Sequence, residues 1–127
     1  MTNNQASQLW FISAEEAFST AEDTYPNHPN WAFFFWHLAI EKLLKGLIIR
    51  HGKEVQPVHD LVKLSQISGI DITPEQKDQL AEITSYAISA RYDDIKQTFY
   101  KKVMDDNYKN KWSRICQELY LWLKNQY

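Results

Sequence analysis

Apolar side chains recur every three or four positions along most of the chain, the spacing of helices packed on one another. Trp10, Ala14, Ala17, Phe18, Ala21 and Tyr25 line one face of a predicted first helix, from about Ala6 to Thr24. Glu15, Glu16, Glu22 and Asp23 mostly fall off that stripe. Two prolines in Tyr25-Pro26-Asn27-His28-Pro29-Asn30 then interrupt helical hydrogen bonding. A second helix is predicted from Pro29 or Asn30 to His51, with Gly52 as its stop. It is apolar on more than one side, from Trp31, Phe33, Phe34, Phe35 and Trp36 through Leu43, Leu44, Leu47 and Ile48. Such a helix is either central in a bundle or shared with a second subunit. One face is expected in the core and another in a homodimer.

Lys53 to Val58 reads as a connection containing Pro57. A short helix follows from about Asp60 to Ser68, with Leu61, Leu64 and Ile67 on one side and Gly69 at its end. Thr73-Pro74-Glu75-Gln76 is the clearest local signal: Thr73 caps, Pro74 suits the first helical position, and Gln76 closes a capping box. The helix it opens is predicted to run to about Arg91, with Tyr92-Asp93-Asp94 breaking it. A last helix spans about Asp106 to Asn125. Its stripes are Tyr108, Trp112, Ile115, Leu119 and Trp122 on one side, and Cys116, Tyr120, Leu123 and Tyr127 on the other. No sustained strand alternation, repeat or low-complexity segment interrupts this pattern. It predicts an all-α, up-and-down bundle of four main helices plus a short helix, with residues 1–127 as a single domain.

Composition narrows the class. The 127 residues are 44% hydrophobic and 24% charged, the balance of one soluble domain with a real core. A lone Cys116 excludes a disulfide framework and a cysteine zinc site, and its apolar stripe suggests an inert core thiol. The most apolar run, Trp31 to Ile40, contains His37 and stops at Glu41 and Lys42, short of the roughly 20 apolar residues a membrane span needs. No signal-peptide pattern opens the chain, so a cytoplasmic protein without membrane attachment is expected. The net charge of -2 announces no global positive field. Its distribution is uneven, however: residues 96–127 carry seven basic and three acidic side chains. That end reads most simply as a solvated face. Tyr100, Tyr108 and Trp112 lie among its lysines, as stacking on bases requires and as a core equally requires.

Three groups of residues carry candidate chemistry. His37, Glu41 and Lys45 fall on one face of the second helix at steps of four. They suit a polar ligand or proton transfer, or simply a Glu41–Lys45 surface pair with His37 at the rim of the core. His59-Asp60 opens the short helix. Asp60 suits a cap, and His59 either anchors the loop or acts as an acid or base. Arg91 lies at a helix end, where it forks onto a phosphate or pairs with Asp93, Asp94 or Glu41. The histidines at 28, 37, 51 and 59 lack the paired spacing of a helical metal site, so no metal and no cofactor are expected.

These segments together resemble the HEPN domain family. His37-Leu38-Ala39-Ile40-Glu41-Lys42-Leu43-Leu44-Lys45-Gly46-Leu47 is similar to the family's second-helix signature, and His59-Asp60-Leu61-Val62-Lys63-Leu64 to its His-Asp-Leu helix start. Ala90-Arg91-Tyr92-Asp93-Asp94 with Phe99-Tyr100-Lys101-Lys102 resembles its segment before the last helix, and Leu121-Trp122-Leu123-Lys124 its final helix. The resemblance implies a homodimeric bundle with a cleft near the subunit interface. Many such proteins are metal-independent ribonucleases with an Arg followed four to six residues later by a His. Others bind nucleotides or RNA, and many accompany a minimal nucleotidyltransferase in toxin–antitoxin or defence modules. Here no His follows Arg50 at that interval, and none follows Arg91 or Arg114. The expectation is a dimer that binds nucleotide or RNA phosphate without the usual nuclease residues, with a nucleotidyltransferase as a candidate partner. Arg91 would hold phosphate and Lys45 add charge. His37, Glu41 and His59 would shape the cleft, and Tyr92 or Tyr100 would stack on a base. The alternatives are a ribonuclease built from Arg91 and His59, or a purely structural adaptor.

Overall fold

The computed structural model describes residues 1–127 and contains helices and connections only. They are α1 (Asn3–Thr24), α2 (Pro29–Arg50), α3 (Leu61–Ser68), α4 (Pro74–Thr84), α5 (Tyr86–Ser89), α6 (Thr98–Met104) and α7 (Asp106–Lys124). The all-α expectation holds.

α2 is the centre of the bundle and packs against every other helix. Its apolar residues therefore point in several directions, and Phe33, Trp36, Ile40, Leu43, Leu44, Leu47 and Ile48 are all fully buried. α1 returns antiparallel beside it after a short turn. α7 runs antiparallel to α1, as the contacts Phe11–Tyr127 and Phe18–Tyr120 show by falling in opposite chain order. Of the two stripes on α7, Cys116, Tyr120 and Leu123 of one are buried, and Leu119 of the other joins them, while Tyr108, Trp112, Ile115 and Trp122 pack at the margin. Burial pushes the Cys116 thiol well up, as suits an inert core residue.

Helix ends follow local chemistry. Thr73 and Gln76 form the expected capping box. Thr2 and Gln5 form a second one, so α1 begins at Asn3 rather than near Ala6. Asp60 caps α3 by accepting from the Val62 and Lys63 N–H groups. Gly69 ends that helix at φ 79°, a left-handed conformation that glycine adopts without strain.

Two differences from the sequence reading concern the segment after α4. The expected helix to Arg91 is divided at Ser85. There the Thr84 and Ser85 hydroxyls donate to the Leu80 and Glu82 carbonyls, which tightens the turn. The segment before the last helix also contains α6. Asp93 accepts from the Phe99 and Tyr100 N–H groups at 3.0 Å, and Asp94 from that of Thr98 at 2.9 Å. The predicted helix breaker is thus the cap of the next helix. Tyr86, Tyr108, Glu82 and Lys102 then tie α4 to α7 together. Tyr86 and Tyr108 hydroxyls lie 2.6 Å apart, Tyr108 donates to Glu82, and Lys102 pairs with the same carboxylate.

Gly46 sits on α2 where the Tyr127 hydroxyl reaches in to donate to the Leu43 carbonyl at 2.7 Å. A β-carbon on Gly46 would clash with that hydroxyl at 2.0 Å and would meet the Trp10 β-carbon at 3.0 Å. Gly46→Ala is therefore expected to destabilise the bundle by about 1–3 kcal/mol, despite alanine's better helix propensity. Urea denaturation checks this. Adding Tyr127→Phe should recover part of the loss by removing the clashing oxygen.

Candidate functional site

The i,i+4 spacing stacks His37, Glu41 and Lys45 along α2. The surface pair that this spacing suggested is in fact buried. Glu41 is 4% and Lys45 6% exposed, and Lys45 Nζ donates to Glu41 Oε2 at 3.0 Å. The ammonium also faces the Trp10 ring, 5.9 Å from its centroid. Trp10, on α1, helps cover the charge from water.

Glu41's second oxygen faces the connection before α3. His59 Nδ1 lies 2.8 Å from Glu41 Oε1. With the carboxylate as acceptor, His59 donates from Nδ1 and leaves Nε2 free, on a side chain that is 64% exposed. His37 Nε2 lies 3.1 Å from the His59 carbonyl. A carbonyl only accepts, so His37 keeps its proton on Nε2 and turns its bare Nδ1 toward Glu41 Oε1, 3.9 Å away. α2 therefore grips His59 twice, by ring and by backbone. Leu61 N–H donates to the Thr84 hydroxyl at 3.0 Å and fixes the other side of the loop. Burial pulls His37 below the ordinary histidine range, and the His59 carbonyl and Glu41 only partly offset that.

Arg91 follows α5, and its guanidinium lies 4.9 Å over the Phe34 ring. None of its three candidate partners engages it. Glu41 is committed to Lys45 and His59, while Asp93 and Asp94 cap α6. Arg91 is left as an unpaired cation at the mouth of a cleft of about 70 Å³, walled also by Phe34, His37, Glu41, His59, Ile88 and Tyr92. That space is well below the about 300–1,000 Å³ of a typical small-molecule pocket. Tyr92 stands at the mouth, 75% exposed. Lys45 lies below the cleft and reaches it through Glu41.

Tyr100 is not among the cleft walls. It sits on α6, its N–H held by Asp93 and its side chain partly exposed. Within the basic C-terminal end, Lys102, Lys109 and Lys124 pair with Glu82, Asp106 and Glu15. Tyr108 and Trp112 stack on each other beside the core. Sequence reasoning missed Phe34 and Ile88. Phe34 was accessible to it, since three residues before His37 is the same helix face. Nothing local marks Ile88.

The chain belongs to the HEPN domain family, whose sequence model matches residues 7–126. That membership supports, in general terms, a module related to nucleotide or RNA. No match was found among curated proteins or among solved structures. No helix is long and apolar enough to cross a membrane.

Glu41→Gln leaves the Lys45 ammonium buried without its counter-charge, so a loss of about 3–5 kcal/mol is expected. Pairing it with Lys45→Met should restore much of that stability in urea melts; a double variant as weak as Glu41→Gln would contradict the ion-pair account. His37 gives a pH dependence of known sign. Its folded value is depressed, so the unfolded chain takes up the proton first as pH falls. Its contribution is complete above about pH 6.5 and declines as pH drops from there toward the folded value. Glu15 and Glu82 are held below their usual range by Lys124 with Tyr120 and by Lys102 with Tyr108, although burial alone would raise them. Their contributions fall away only below about pH 4.5. Between pH 7 and 5, the urea midpoint of the wild type should therefore fall more than that of His37→Asn.

Proposed function

We propose that this protein is a dimeric module that binds the phosphate of a nucleotide or RNA in the α2–α5 cleft, with Arg91 as the phosphate ligand. The observation that carries this reading is the guanidinium left without a carboxylate at the cleft mouth. A planar cation held on an aromatic face is suited to fork onto phosphate oxygens. His59 Nε2 lies free beside it as a second donor or acceptor, and exposed Tyr92 supplies a surface on which a base stacks. Lys45 and Glu41 hold His59 in place instead of touching the ligand. Trp31, Ile88 and Tyr92 are all exposed, and Phe34 and Leu38 only half-buried, around the same mouth. An apolar rim of this kind favours a homodimer that closes over the cleft. The protein would act in the cytoplasm. A minimal nucleotidyltransferase encoded beside it, in a toxin–antitoxin or defence module, is the partner that the family resemblance suggests.

A second reading has its own support. Glu41 orients His59 as a carboxylate orients a catalytic imidazole, next to a free arginine. That arrangement suits metal-independent cleavage of RNA with His59 as acid or base. RNA incubated in chelator with the wild type, His59→Ala and Arg91→Ala separates the two readings. The binding module leaves RNA intact in all three; the nuclease cleaves it, and either substitution abolishes cleavage.

Under the binding reading, Arg91→Ala should weaken affinity for a short RNA or a nucleotide about tenfold. It should also make the dependence of log K on log salt shallower by about one counterion for RNA. Unchanged affinity and slope would remove Arg91 from the site.

A further inference from the structure

A second cavity, of about 460 Å³, opens between the first turns of α1 and the ends of α2 and α7. Asn4, Ser7, Gln8 and Phe11 line it from α1. These positions continue the stripe that is apolar further along, at Ala14, Ala17, Phe18 and Ala21. The core-facing side of α1 thus turns polar where the cavity begins. Ser7 is only 3% exposed and makes no hydrogen bond within the protein, and its hydroxyl meets solvent where it opens onto the cavity.

Arg50 faces Ser7's side of the cavity from the last residue of α2. No carboxylate side chain lines the space, and Arg50 makes no ion pair. Lys124 adds a second positive charge, although Glu15 holds it at 2.6 Å. The ends of α2 and α7 would normally offer carbonyl acceptors. Here Leu47, Ile48, Ile49, Leu121, Leu123 and Lys124 carbonyls are already used by the capping turns. Among the lining side chains, Arg50 and Lys124 only donate, whereas Ser7 and the Asn4, Gln8 and Asn125 amides both donate and accept. Phe11 and Tyr127, in edge contact at 5.0 Å, supply an aromatic wall.

We propose that this cavity binds a small organic oxyanion, a carboxylate or phosphate carrying an apolar body, with Arg50 forked onto the charged head. Ser7 and the amides complete the head's hydrogen bonds, and Phe11 with Tyr127 receives the body. The volume falls in the range of small-molecule sites. The site lies apart from the Arg91 cleft and does not depend on that cleft's function.

The test is an NMR titration of the whole protein with benzoate, with phenyl phosphate and with the neutral benzyl alcohol. Saturable shifts of the Arg50 Nε–H and of the Asn4, Gln8 and Asn125 side-chain amides are expected for one or both anions. Whichever binds names the head group, and benzyl alcohol should give none. Arg50→Met keeps the side chain's apolar stem at an exposed position, and should weaken binding at least tenfold. Ser7→Ala should weaken it severalfold, and Arg91→Ala should leave it unchanged. The proposal is overturned if no saturable shift occurs, if Arg50→Met binds as the wild type does, or if Arg91→Ala abolishes the shifts.

Discussion

A carboxylate and an ammonium leave water on the central helix of this protein only because each finds the other. The Glu41–Lys45 pair sets much of what surrounds it. Lys45 occupies one carboxylate oxygen, so the other is free to fix His59. His59 in turn brings its backbone carbonyl to His37. A loop with little apolar content is thereby pinned against α2 by polar contacts, and α3 starts from a defined point. The polar row on α2 therefore acts as a loop-docking device. His37, Glu41 and Lys45 all face other protein groups, and the histidine that meets solvent is His59, on the connection they pin.

The fold was largely legible because its signals are local. The all-round apolar α2, the Thr73 capping box and the prolines between α1 and α2 each act within a few residues. The Thr2–Gln5 box was equally visible, but it lies ahead of the first apolar stripe. What escaped was non-local or disguised. Asp93 caps α6 from six and seven residues away, around Gln97 at a positive φ of 54°. That spacing belongs to no standard cap. Glu41 and Lys45 looked like a surface pair because their i,i+4 spacing is the same in water or under cover. What lies over them, Trp10 from α1 and His59 from the connection before α3, decides between the two. Tyr100 shared a segment with Arg91, but α6 turns the chain and carries it away from the cleft.

The same acidic residues explain both the extra helix and the free arginine. Asp93 and Asp94 stand within three residues of Arg91 and would neutralise it in an extended loop. Folding α6 occupies their oxygens with backbone N–H groups instead. A short helix with no side chain in the cleft thus determines the charge at its mouth. The ring of Phe34 then holds the guanidinium by its flat face, and its edge donors stay without a carboxylate partner.

The short turn joining α1 to α2 also has a kinetic consequence. It places the two longest helices side by side with very little chain to close between them. Such local contacts form early in folding, and α2 carries its buried charges into that first hairpin. Lys45 and Glu41 meet there at once, since both lie on α2. His59 arrives only when the Lys53–Asp60 connection docks, and Arg91 only after α5 is in place. The cleft therefore rests on contacts of longer sequence separation than those of the buried pair beneath it.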